Sequence, residues 1–538
     1  MRGFPGAHWI VTSRPYAALF DRHNALLHRG RLGVEREALR ITEEGRLADP
    51  PHPPSLGAPL THPYITTDYA EPLLELITPP LGDEAAVIEF LEYLHRFVHQ
   101  RLDGDYLWPY SMPCCPEDES AIPLARYGDS NLGRMKTVYR HGLGLRYGRK
   151  MQIIAGIHVN FSMDDDFWRA LHRWDEAEAP LPRYRSERYL AQLRNLQRLG
   201  WLIPYLFGAS PAVCDSFTDA AVDARLRPIA PHTLAEPHAT SLRLGDIGYQ
   251  NRQECETGFK AVYNDLAGYI RTLARAVSTP CPHYSALGVR RGEEFLQLND
   301  HILQIENEYY ASVRPKPRLA HPLEMPLVAL ARRGVEYIEL RALDLDPEAP
   351  LGVTSEALHF LRLLMLHCLL EPSPPIEGDE AEAIDHNLNA VAHRGRAPGL
   401  RLRHRDGEIE LRQWGLETLE AMRPLAEALD RQRPQPHYQR TLDEQIAKLA
   451  DPELTPSARL LRRLQAGPSE LLTLGLELAR EHRQRLARPL PPEREDELQR
   501  LARESHARQR AIEAQPQPPF DRFLSDYFAQ LHSLRLES

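Results

Sequence analysis

Several features that mark other protein classes are missing from this 538-residue chain. It has no apolar run of about 18 residues, so no transmembrane helix is predicted. Its first residues lack the basic and then apolar pattern of a secretory signal. The net charge of −10 argues against binding nucleic acid through phosphate neutralisation. We therefore expect a cytoplasmic protein with no membrane and no nucleic-acid partner.

Cysteine is scarce, and its spacing fits no redox or zinc motif. The six cysteines are at positions 114, 115, 214, 255, 281 and 368. None belongs to a CxxC pair, and without an export signal reduced thiols are the expected state. The adjacent Cys114 and Cys115 favour neither a relaxed disulfide nor a shared zinc site. We expect most of the six to be buried as small apolar residues, with Cys114 either structural or redox-responsive.

The common nucleotide-binding motifs are also absent. There is no GxxxxGK[ST] loop and no protein-kinase signature set. Any nucleotide would have to be held by metal ions and basic side chains. The stretch Ser130–Lys136 is predicted as a polar, glycine-bearing loop, in which Arg134 and Lys136 are candidates for nucleotide binding. An ordinary surface turn is the alternative interpretation of this stretch.

What is present is an ordinary globular mixture, with 42% hydrophobic and 26% charged residues and no internal repeat. Strand-like and helical segments alternate before Pro375, and helical segments dominate after it. Two helices are predicted from apolar faces, one over Val87–Val98 and one that Ser186 caps. Leu358–Leu370 is apolar on nearly every side and predicts a buried helix.

Five short segments are predicted as strands because apolar and ionisable residues alternate in them. They are Leu32–Ile41, Leu73–Thr78, Ile153–Ser162, Ile302–Tyr310 and Val335–Leu343. Side chains two residues apart on a strand project from the same face. The polar residues that these strands present, or that lie just upstream, are Glu35 with Glu37, Asp68, Glu75, His158 with Asn160, Glu306 with Glu308, and Glu339 with Arg341.

Each of these patterns alone has an ordinary explanation. A Glu-x-Glu strand is usually the solvated face of a half-buried sheet. Glu75, set among leucines, could be a solvated edge residue, and His158 could be a core histidine with satisfied hydrogen bonds. Taken together they are unusual, because a solvated face would carry Lys, Thr and Ser among its acids, whereas these segments carry Glu, Asp, His, Asn and one Arg.

If the strands adjoin, their carboxylates converge and need cations. Two like charges about 4 Å apart repel by roughly 4 kcal/mol at an effective dielectric constant near 20. Oxygen-rich ligands favour Mg²⁺ or Mn²⁺ over zinc, and magnesium is commonly shared with substrate phosphates. The pattern therefore predicts a magnesium site beside a nucleotide phosphate chain. Arg341, on the face of Glu339, is the candidate for stabilising a transferring phosphoryl group.

The order of the motifs resembles that of the proteobacterial glutamate–cysteine ligase family. The matching segments are Gly33–Arg40, Leu60–His62, Ile65–Glu71, Leu74–Pro79, Trp108–Pro109, Ser111–Cys114, Tyr127–Asn131, Arg146–Gly148, His158–Ser162, Pro204–Pro211, Ala239–Leu244, Leu303–Glu308 and Glu336–Arg341. Each segment is short, but together they keep the family's order through the first two thirds of the chain.

This resemblance implies an α+β fold with a glutamine-synthetase-like catalytic domain. In that fold a curved antiparallel sheet forms a funnel with helices outside. The catalytic domain would span residues 12–375, and residues 376–538 would be a mostly helical C-terminal region packed on it. We expect a monomer or a weak homo-oligomer.

The resemblance also implies roles for individual residues. The implied metal ligands are Glu35, Glu37, Glu75, His158 and Glu339, with Asp68 close by. Arg341 would be the catalytic arginine. The cysteine pocket would comprise Tyr69, Tyr139, Leu143, Gln152, Arg243, Tyr249 and Tyr310. Tyr69 stands where the family often has phenylalanine, so it adds a hydroxyl group to the pocket wall.

The implied reaction is the ATP-dependent joining of the γ-carboxylate of L-glutamate to the amine of L-cysteine through γ-glutamyl phosphate, the first step of glutathione synthesis. Mg²⁺ or Mn²⁺ would be the cofactor. One alternative is a related carboxylate–amine ligase with a different amine acceptor. Two others are a non-catalytic nucleotide-binding regulator, which the retained acids and Arg341 disfavour, and a two-metal phosphohydrolase.

Overall fold

The computed structural model describes residues 19–20, 23–114, 118–218, 222, 224–248, 258–405, 407–431, 433–467 and 470–534. The strands are β1 Gly30–Ile41, β2 Ile65–Thr67, β3 Leu73–Ile77, β4 Tyr106–Leu107, β5 Ile157–Met163, β6 Ala212–Cys214, β7 Arg227–Ala230, β8 Thr233–Ala235, β9 Arg290–Arg291, β10 Glu294–Phe295, β11 Val313–Lys316, β12 Tyr337–Leu343, β13 Arg401–His404 and β14 Gly407–Glu410.

The α-helices are α1 Glu84–His99, α2 Asn131–Tyr147, α3 Arg149–Gln152, α4 Asp165–Trp174, α5 Leu181–Arg198, α6 Leu202–Phe207, α7 Leu266–Ser278, α8 Pro282–Leu287, α9 Pro326–Arg333, α10 Ser355–Leu370, α11 Glu380–Arg394, α12 Leu411–Asp430, α13 His437–Ala450, α14 Pro456–Gln465, α15 Leu471–Leu486, α16 Pro492–Glu513 and α17 Phe520–Ala529. Short 3-10 helices span Asn24–Arg29, Pro54–Leu56, Glu119–Ala121, Asp215–Phe217, Leu242–Leu244, Glu306–Glu308, Pro452–Leu454 and Gln530–Ser533. Within the described residues, no helix is both long and apolar enough to cross a membrane.

A seven-stranded antiparallel sheet lies at the centre of the fold. Its order is β11-β12-β5-β1-β3-β2, and β4 pairs with the end of β1. The long strand β1 pairs with β3 on one side and β5 on the other. One face of these strands is apolar, with Val34, Val159 and Leu340 fully buried or nearly so. Helices surround the sheet, which confirms the predicted α+β class and its antiparallel sheet.

Four of the five predicted strands are present, as β1, β3, β5 and β12. The prediction of a strand over Ile302–Tyr310 is wrong, because Glu306–Glu308 is a 3-10 helix. The carboxylate of Glu308 accepts a 2.8 Å hydrogen bond from the buried Arg146, and Glu306 accepts one from the Leu327 amide at 3.1 Å. These two partners lie in different directions, so the two acids do not share a strand face.

The predicted helices over Val87–Val98 and Leu358–Leu370 correspond to α1 and α10, and α10 is buried along nearly its whole length. The assignment of Ser186 as a helix cap is wrong. Helix α5 begins at Leu181, where Pro182 supplies the backbone angle of a first turn. Ser186 lies inside the helix, where its hydroxyl donates to the Pro182 carbonyl at 2.9 Å and accepts from the Val335 amide at 3.0 Å.

The stretch Ser130–Lys136 is a helix start and not the predicted loop. Ser130 is the N-cap of α2, and its hydroxyl accepts a hydrogen bond from the Gly133 amide at 3.2 Å. A serine in this position satisfies one of the free amides of the first turn, so the polar composition is that of a capped helix. Arg134 and Lys136 are therefore on a helix.

The expectation of reduced thiols is wrong for Cys114, which forms a disulfide with Cys214 across 100 residues of sequence. Strand β6 ends at Cys214 and brings its Cα atom within 5.4 Å of that of Cys114. Such a long-range contact cannot be read from cysteine spacing. Cys281 and Cys368 are free and buried, as expected. The two remaining cysteines, at 115 and 255, lie outside the described residues.

Helices that follow Pro375 share the main apolar core with the sheet and its helices. Helices α12 and α13 pack on α10, α15 packs on α1 and β4, and α17 packs on α2. A buried ion network joins these parts at Glu84, the first residue of α1. The Glu84 carboxylate accepts hydrogen bonds from Arg362 of α10, from the Tyr438 hydroxyl at 2.7 Å and from Arg433 at 3.1 Å.

Burial alone would raise the pKa of Glu84, but Arg362 and His359 hold it below its ordinary value. Arg362 also donates to the backbone carbonyls of Gly30 and Gly82 at 3.2 and 2.9 Å. The network therefore ties the start of β1 and the start of α1 to α10, and through Tyr438 to the C-terminal helices.

Replacing Glu84 by glutamine should lower the free energy of unfolding at pH 7 by about 3–5 kcal/mol, because Arg362 is left buried without its counter-charge. A carboxylate whose folded-state pKa is lowered adds stability above its unfolded pKa and loses it as the pH falls through the folded value. The difference between variant and wild type should therefore shrink in acid. Urea unfolding from pH 7 downwards measures it.

Glu89→Gln is the matched control, because Glu89 is an exposed residue of the same helix. It should change the free energy of unfolding by less than about 0.5 kcal/mol. Equal losses in the two variants would contradict a special role for Glu84.

Candidate functional site

The polar face of the central sheet gathers ionisable residues from four strands. We call it the acidic face and define it by Glu35, Glu37, Glu75, His158 and Glu339. Strand register places Glu37 directly opposite Glu75, and Glu35 directly opposite His158. A cavity of about 450 Å³ lies over this face, a volume that suits a small-molecule site.

His158 connects the two glutamates of β1. Its Nδ1 atom lies 3.2 Å from Glu35 Oε2, and its Nε2 atom lies 3.4 Å from Glu37 Oε1. Asn160 donates to Glu35 Oε1 at 2.7 Å, and the Gly156 amide donates to Glu37 Oε2 at 2.6 Å. Burial would raise the pKa of Glu35, but the hydrogen bond with His158 holds it below its ordinary value. Glu35 is therefore held as a carboxylate.

Glu339 on β12 lies between two basic side chains. Its Oε1 atom is 3.4 Å from Arg341 Nη1 and 3.5 Å from Lys316 Nζ of the neighbouring strand β11. Burial opposes ionisation, but Lys316 and Arg341 hold the pKa of Glu339 well below its ordinary value. In return Glu339 raises the pKa of Arg341 against the effect of burial. Both groups are charged at neutral pH.

Three of these residues form a donor set that could hold a cation. One ligand atom each of Glu35, His158 and Glu339 lies within 4.8 Å of the others. Glu339 Oε2 is buried and has no hydrogen-bond partner among the described residues. An unpaired buried carboxylate oxygen is costly, and two carboxylates with one imidazole suit a divalent ion that accepts oxygen and nitrogen donors.

At the other end of the acidic face, basic side chains offset less of the acidic charge. Burial, together with the charges of Glu35, Asp68 and Glu37, raises the pKa of Glu75 well above its ordinary value. Burial also raises the pKa of Glu37. Carboxylates at this end are therefore harder to ionise than Glu339.

Several basic residues at the cavity were not among the predicted site residues. Arg314 and Lys316 project from β11, and Arg140 projects from α2, where its Nε donates to the Asp68 carbonyl. Lys136, which was predicted, lies one turn away from Arg140 on α2, and burial lowers its pKa to about 8. The alternation Val313-Arg314-Pro315-Lys316 is the period-two signal that could have identified the β11 pair.

The predicted nucleotide-binding residues occupy different places. Lys136 lines the cavity over the acidic face. The structure does not bring Arg134 there: its guanidinium lies over the rings of Phe295 and Phe520, 5.2 and 4.4 Å from their centroids. Arg134 instead joins α2 to the C-terminal helix α17, whose Tyr527 also lines the cavity.

Most residues predicted for the amino-acid pocket line the same cavity. They are Tyr69, Tyr139, Leu143, Gln152 and Tyr310. Arg243 lies beneath, where its Nη2 donates to the Arg341 carbonyl at 2.9 Å and its Nη1 is 3.4 Å from Asp344 Oδ1. Tyr249, also predicted for this pocket, lies outside the described residues. Among the predicted metal ligands, Glu35, Glu37, Asp68 and Glu339 line the cavity directly.

Comparison with known proteins gives a consistent result. A family model described as glutamate-cysteine ligase matches residues 17–391. The glutamate–cysteine ligase of Alcanivorax borkumensis is 46% identical over 507 residues, which cover 93% of this chain and 95% of its own. That of Azotobacter vinelandii is 45% identical over 524 residues, covering 96% and 98%.

Solved structures agree with this result. The crystal structure of glutamate–cysteine ligase from Francisella tularensis in complex with AMP matches with a TM-score of 0.87 and 33% identity, covering 94% of this chain and 98% of that one. A bifunctional glutathione synthetase from Pasteurella multocida shares the fold, with a TM-score of 0.69 and 24% identity over 88% of this chain and 55% of that one.

Replacing Glu75 by glutamine should stabilise the protein in EDTA at pH 8. A carboxylate whose folded pKa is raised makes the folded state bind more protons, so stability falls as the pH rises between the unfolded and folded values. Each unit of pKa difference corresponds to about 1.4 kcal/mol. We expect a gain of about 1 kcal/mol or more at pH 8 and little gain near pH 4, measured by urea unfolding.

The exposed Glu43→Gln is the control and should change stability by less than about 0.5 kcal/mol at either pH. Identical pH profiles for wild type and Glu75→Gln would show that repulsion at this end of the acidic face is negligible.

Proposed function

The chain belongs to the glutamate–cysteine ligase family, and from this premise we propose how the residues of the acidic face carry out its reaction. The reaction is the ATP-dependent joining of L-glutamate to L-cysteine, which forms γ-glutamylcysteine for glutathione synthesis. The observation that carries the assignment of residues is the meeting of Glu35, His158 and Glu339 beside Arg341 and Lys316.

Mg²⁺ or Mn²⁺ is the proposed cofactor of this face. Glu35, His158 and Glu339 would hold one ion, and Glu37 and Glu75, with Asp68 close by, would contribute to a further ion at the other end. The unpaired Glu339 Oε2 and the raised pKa values of Glu37 and Glu75 support this proposal. A bound ion would neutralise the phosphate oxygens of ATP.

In the first step an oxygen of the glutamate γ-carboxylate attacks the γ-phosphorus of ATP. A P–O bond forms, the bond to ADP breaks, and γ-glutamyl phosphate results. Charge spreads over the transferring phosphoryl oxygens in such a reaction. Arg341 and Lys316 are fixed cations at the cavity wall, so they stabilise this charge without reorganising. Arg314, on the same strand as Lys316, supplies a third positive charge.

In the second step the cysteine amine attacks the acyl carbon, the new C–N bond forms, and phosphate leaves. The amine must lose a proton, and the departing phosphate is the nearest acceptor created by the reaction. Tyr69, Tyr139, Leu143, Gln152 and Tyr310 form the proposed pocket for cysteine, with Arg243 supporting it from below. Holding both reactants in one cavity provides the proximity that such a step requires.

We assign the acidic face to a catalytic segment over residues 12–375, of which the first residues lie outside the described part. Residues 376–538 would be a supporting region packed on that segment, because they share its apolar core and the Glu84 network. The proposed setting is the cytoplasm, and the proposed assembly state is a monomer or weak homo-oligomer.

ADP release by the purified protein with Mg-ATP should require both glutamate and cysteine. Arg341→Ala should lower kcat by about 10²–10³-fold, the usual effect of removing one preorganised charge donor. The exposed Arg332→Ala is the matched control and should retain wild-type turnover. Other primary amines in place of cysteine test the strictness of the acceptor pocket.

Wild-type turnover in Arg341→Ala would contradict the proposed catalytic role of Arg341. Phosphate release without any amine would indicate hydrolysis as the main activity.

Mn²⁺ binding tests the metal ligands without reference to activity. Glu339→Gln should weaken Mn²⁺ affinity by more than the roughly 10–100-fold that the loss of a supporting residue costs at metal sites. Glu336→Gln is the control. Glu336 lies three residues before Glu339, its side chain is 44% exposed, and it pairs with Arg185. Electron paramagnetic resonance of free Mn²⁺ measures both. Unchanged affinity in Glu339→Gln would exclude it as a ligand.

A further inference from the structure

A second cavity, of about 480 Å³, lies outside the acidic face and shares no lining residue with the cavity there. It is bounded by the C-terminal parts of α5 and α10, by α11, by the β13–β14 hairpin and by the beginning of α12. Its volume lies in the range of sites for small organic molecules. No step of the proposed reaction uses it.

Glu371 lies at this cavity, one residue beyond α10, and is only 5% exposed. Its Oε2 atom is buried and has no hydrogen-bond partner among the described residues. Its Oε1 atom is 3.9 Å from His367 Nδ1, beyond hydrogen-bonding distance. Burial raises the pKa of Glu371 to about 7. A buried carboxyl oxygen without a partner is costly, and a donor from a ligand would remove that cost.

The arginine of α5 that lines this cavity, Arg198, is engaged with other partners. Arg198 donates to Glu380 Oε1 at 2.7 Å, to the Pro374 carbonyl at 2.8 Å and to the Ser373 hydroxyl at 3.1 Å. Burial lowers the pKa of His367 to about 4, so it is neutral at physiological pH. The side chains next to Glu371 on α5 and α10 therefore supply no positive charge directed at Glu371 Oε2.

The remaining wall combines apolar side chains with exposed residues of both charges. Leu199, Ile384 and the ring of Trp414 form the apolar part. The exposed acids Glu377 and Asp379 and the exposed Arg403 and Arg405 also line the cavity. A cavity lined by both an aromatic ring and a buried acid suits an ammonium group carried on an apolar body, because both groups attract a cation.

We propose that this cavity binds a small primary amine, whose ammonium group pairs with the Glu371 carboxylate and whose apolar body packs against Leu199, Ile384 and Trp414. The site is separate from the cysteine pocket, so its ligand does not compete with substrate. Helix α5 also packs on β11 and β12, which carry Lys316 and Arg341, and gives the site a direct structural link to the acidic face.

Isothermal titration calorimetry of the full-length protein at pH 8 with 2-phenylethylamine tests the proposal. Its neutral analogue 2-phenylethanol and its anionic analogue 3-phenylpropionate are the comparison ligands. We expect saturable binding of the amine and at least tenfold weaker binding of the other two. Glu371→Gln should weaken amine binding by at least tenfold and leave γ-glutamylcysteine formation unchanged.

Glu377→Gln is the matched control, because Glu377 is an exposed acid of the same cavity, and it should retain amine binding within about twofold. Ile384→Trp should abolish amine binding, because the larger side chain fills the apolar part of the cavity. This variant tests the proposal if Glu371→Gln does not fold. Amine binding to Arg341→Ala should equal that to the wild type, because the sites are separate. Absence of amine binding, equal binding to wild type and Glu371→Gln, or stronger binding of 3-phenylpropionate would each overturn the proposal.

Discussion

Repulsion between buried carboxylates is the constraint on which the structure of the site depends. Antiparallel pairing places Glu37 opposite Glu75, while Glu35 and Glu339 approach the same histidine from neighbouring strands. Like charges at such separations repel by several kcal/mol at the dielectric constant of a protein. A sheet bearing them is stable only if hydrogen bonds, basic side chains or bound cations compensate, and the acidic face has its own donors for only some of its carboxylates.

The rest of the fold holds this arrangement in place. Strand β1 is paired on both sides, so neither of its glutamates can move away from its neighbour without breaking the sheet. Arg243, buried beneath the face, fixes the backbone of Arg341 through its carbonyl. Farther away, Glu84 and Arg362 connect the start of β1 to the C-terminal helices. The C-terminal region is therefore coupled to the position of the acidic strands.

Strand periodicity was sufficient to identify much of the site from sequence. Alternation in β1, β5 and β12 correctly placed Glu35, His158 and Glu339 on one face, because period two is a local property of extended chain. Periodicity failed for Glu306–Glu308, because Glu308 binds Arg146 and Glu306 binds the amide of Leu327, so the two side chains point in different directions. The disulfide between Cys114 and Cys214 was missed because it depends on a contact 100 residues apart. Contacts between residues that are far apart in the sequence leave no local pattern from which they could be predicted.

The charges of the acidic face are distributed unevenly, and this asymmetry bears on the order of the reaction. At Glu339 the protein supplies Arg341 and Lys316, so that carboxylate is ionised before any ligand arrives. At Glu75 burial and the neighbouring acids outweigh the charge of Arg341, and its pKa stays high. The cation proposed for that end would therefore displace a proton when it binds. Such a face presents fixed positive charge beside Glu339, and at the other end its ionisation would be linked to the arrival of the proposed metal–nucleotide complex.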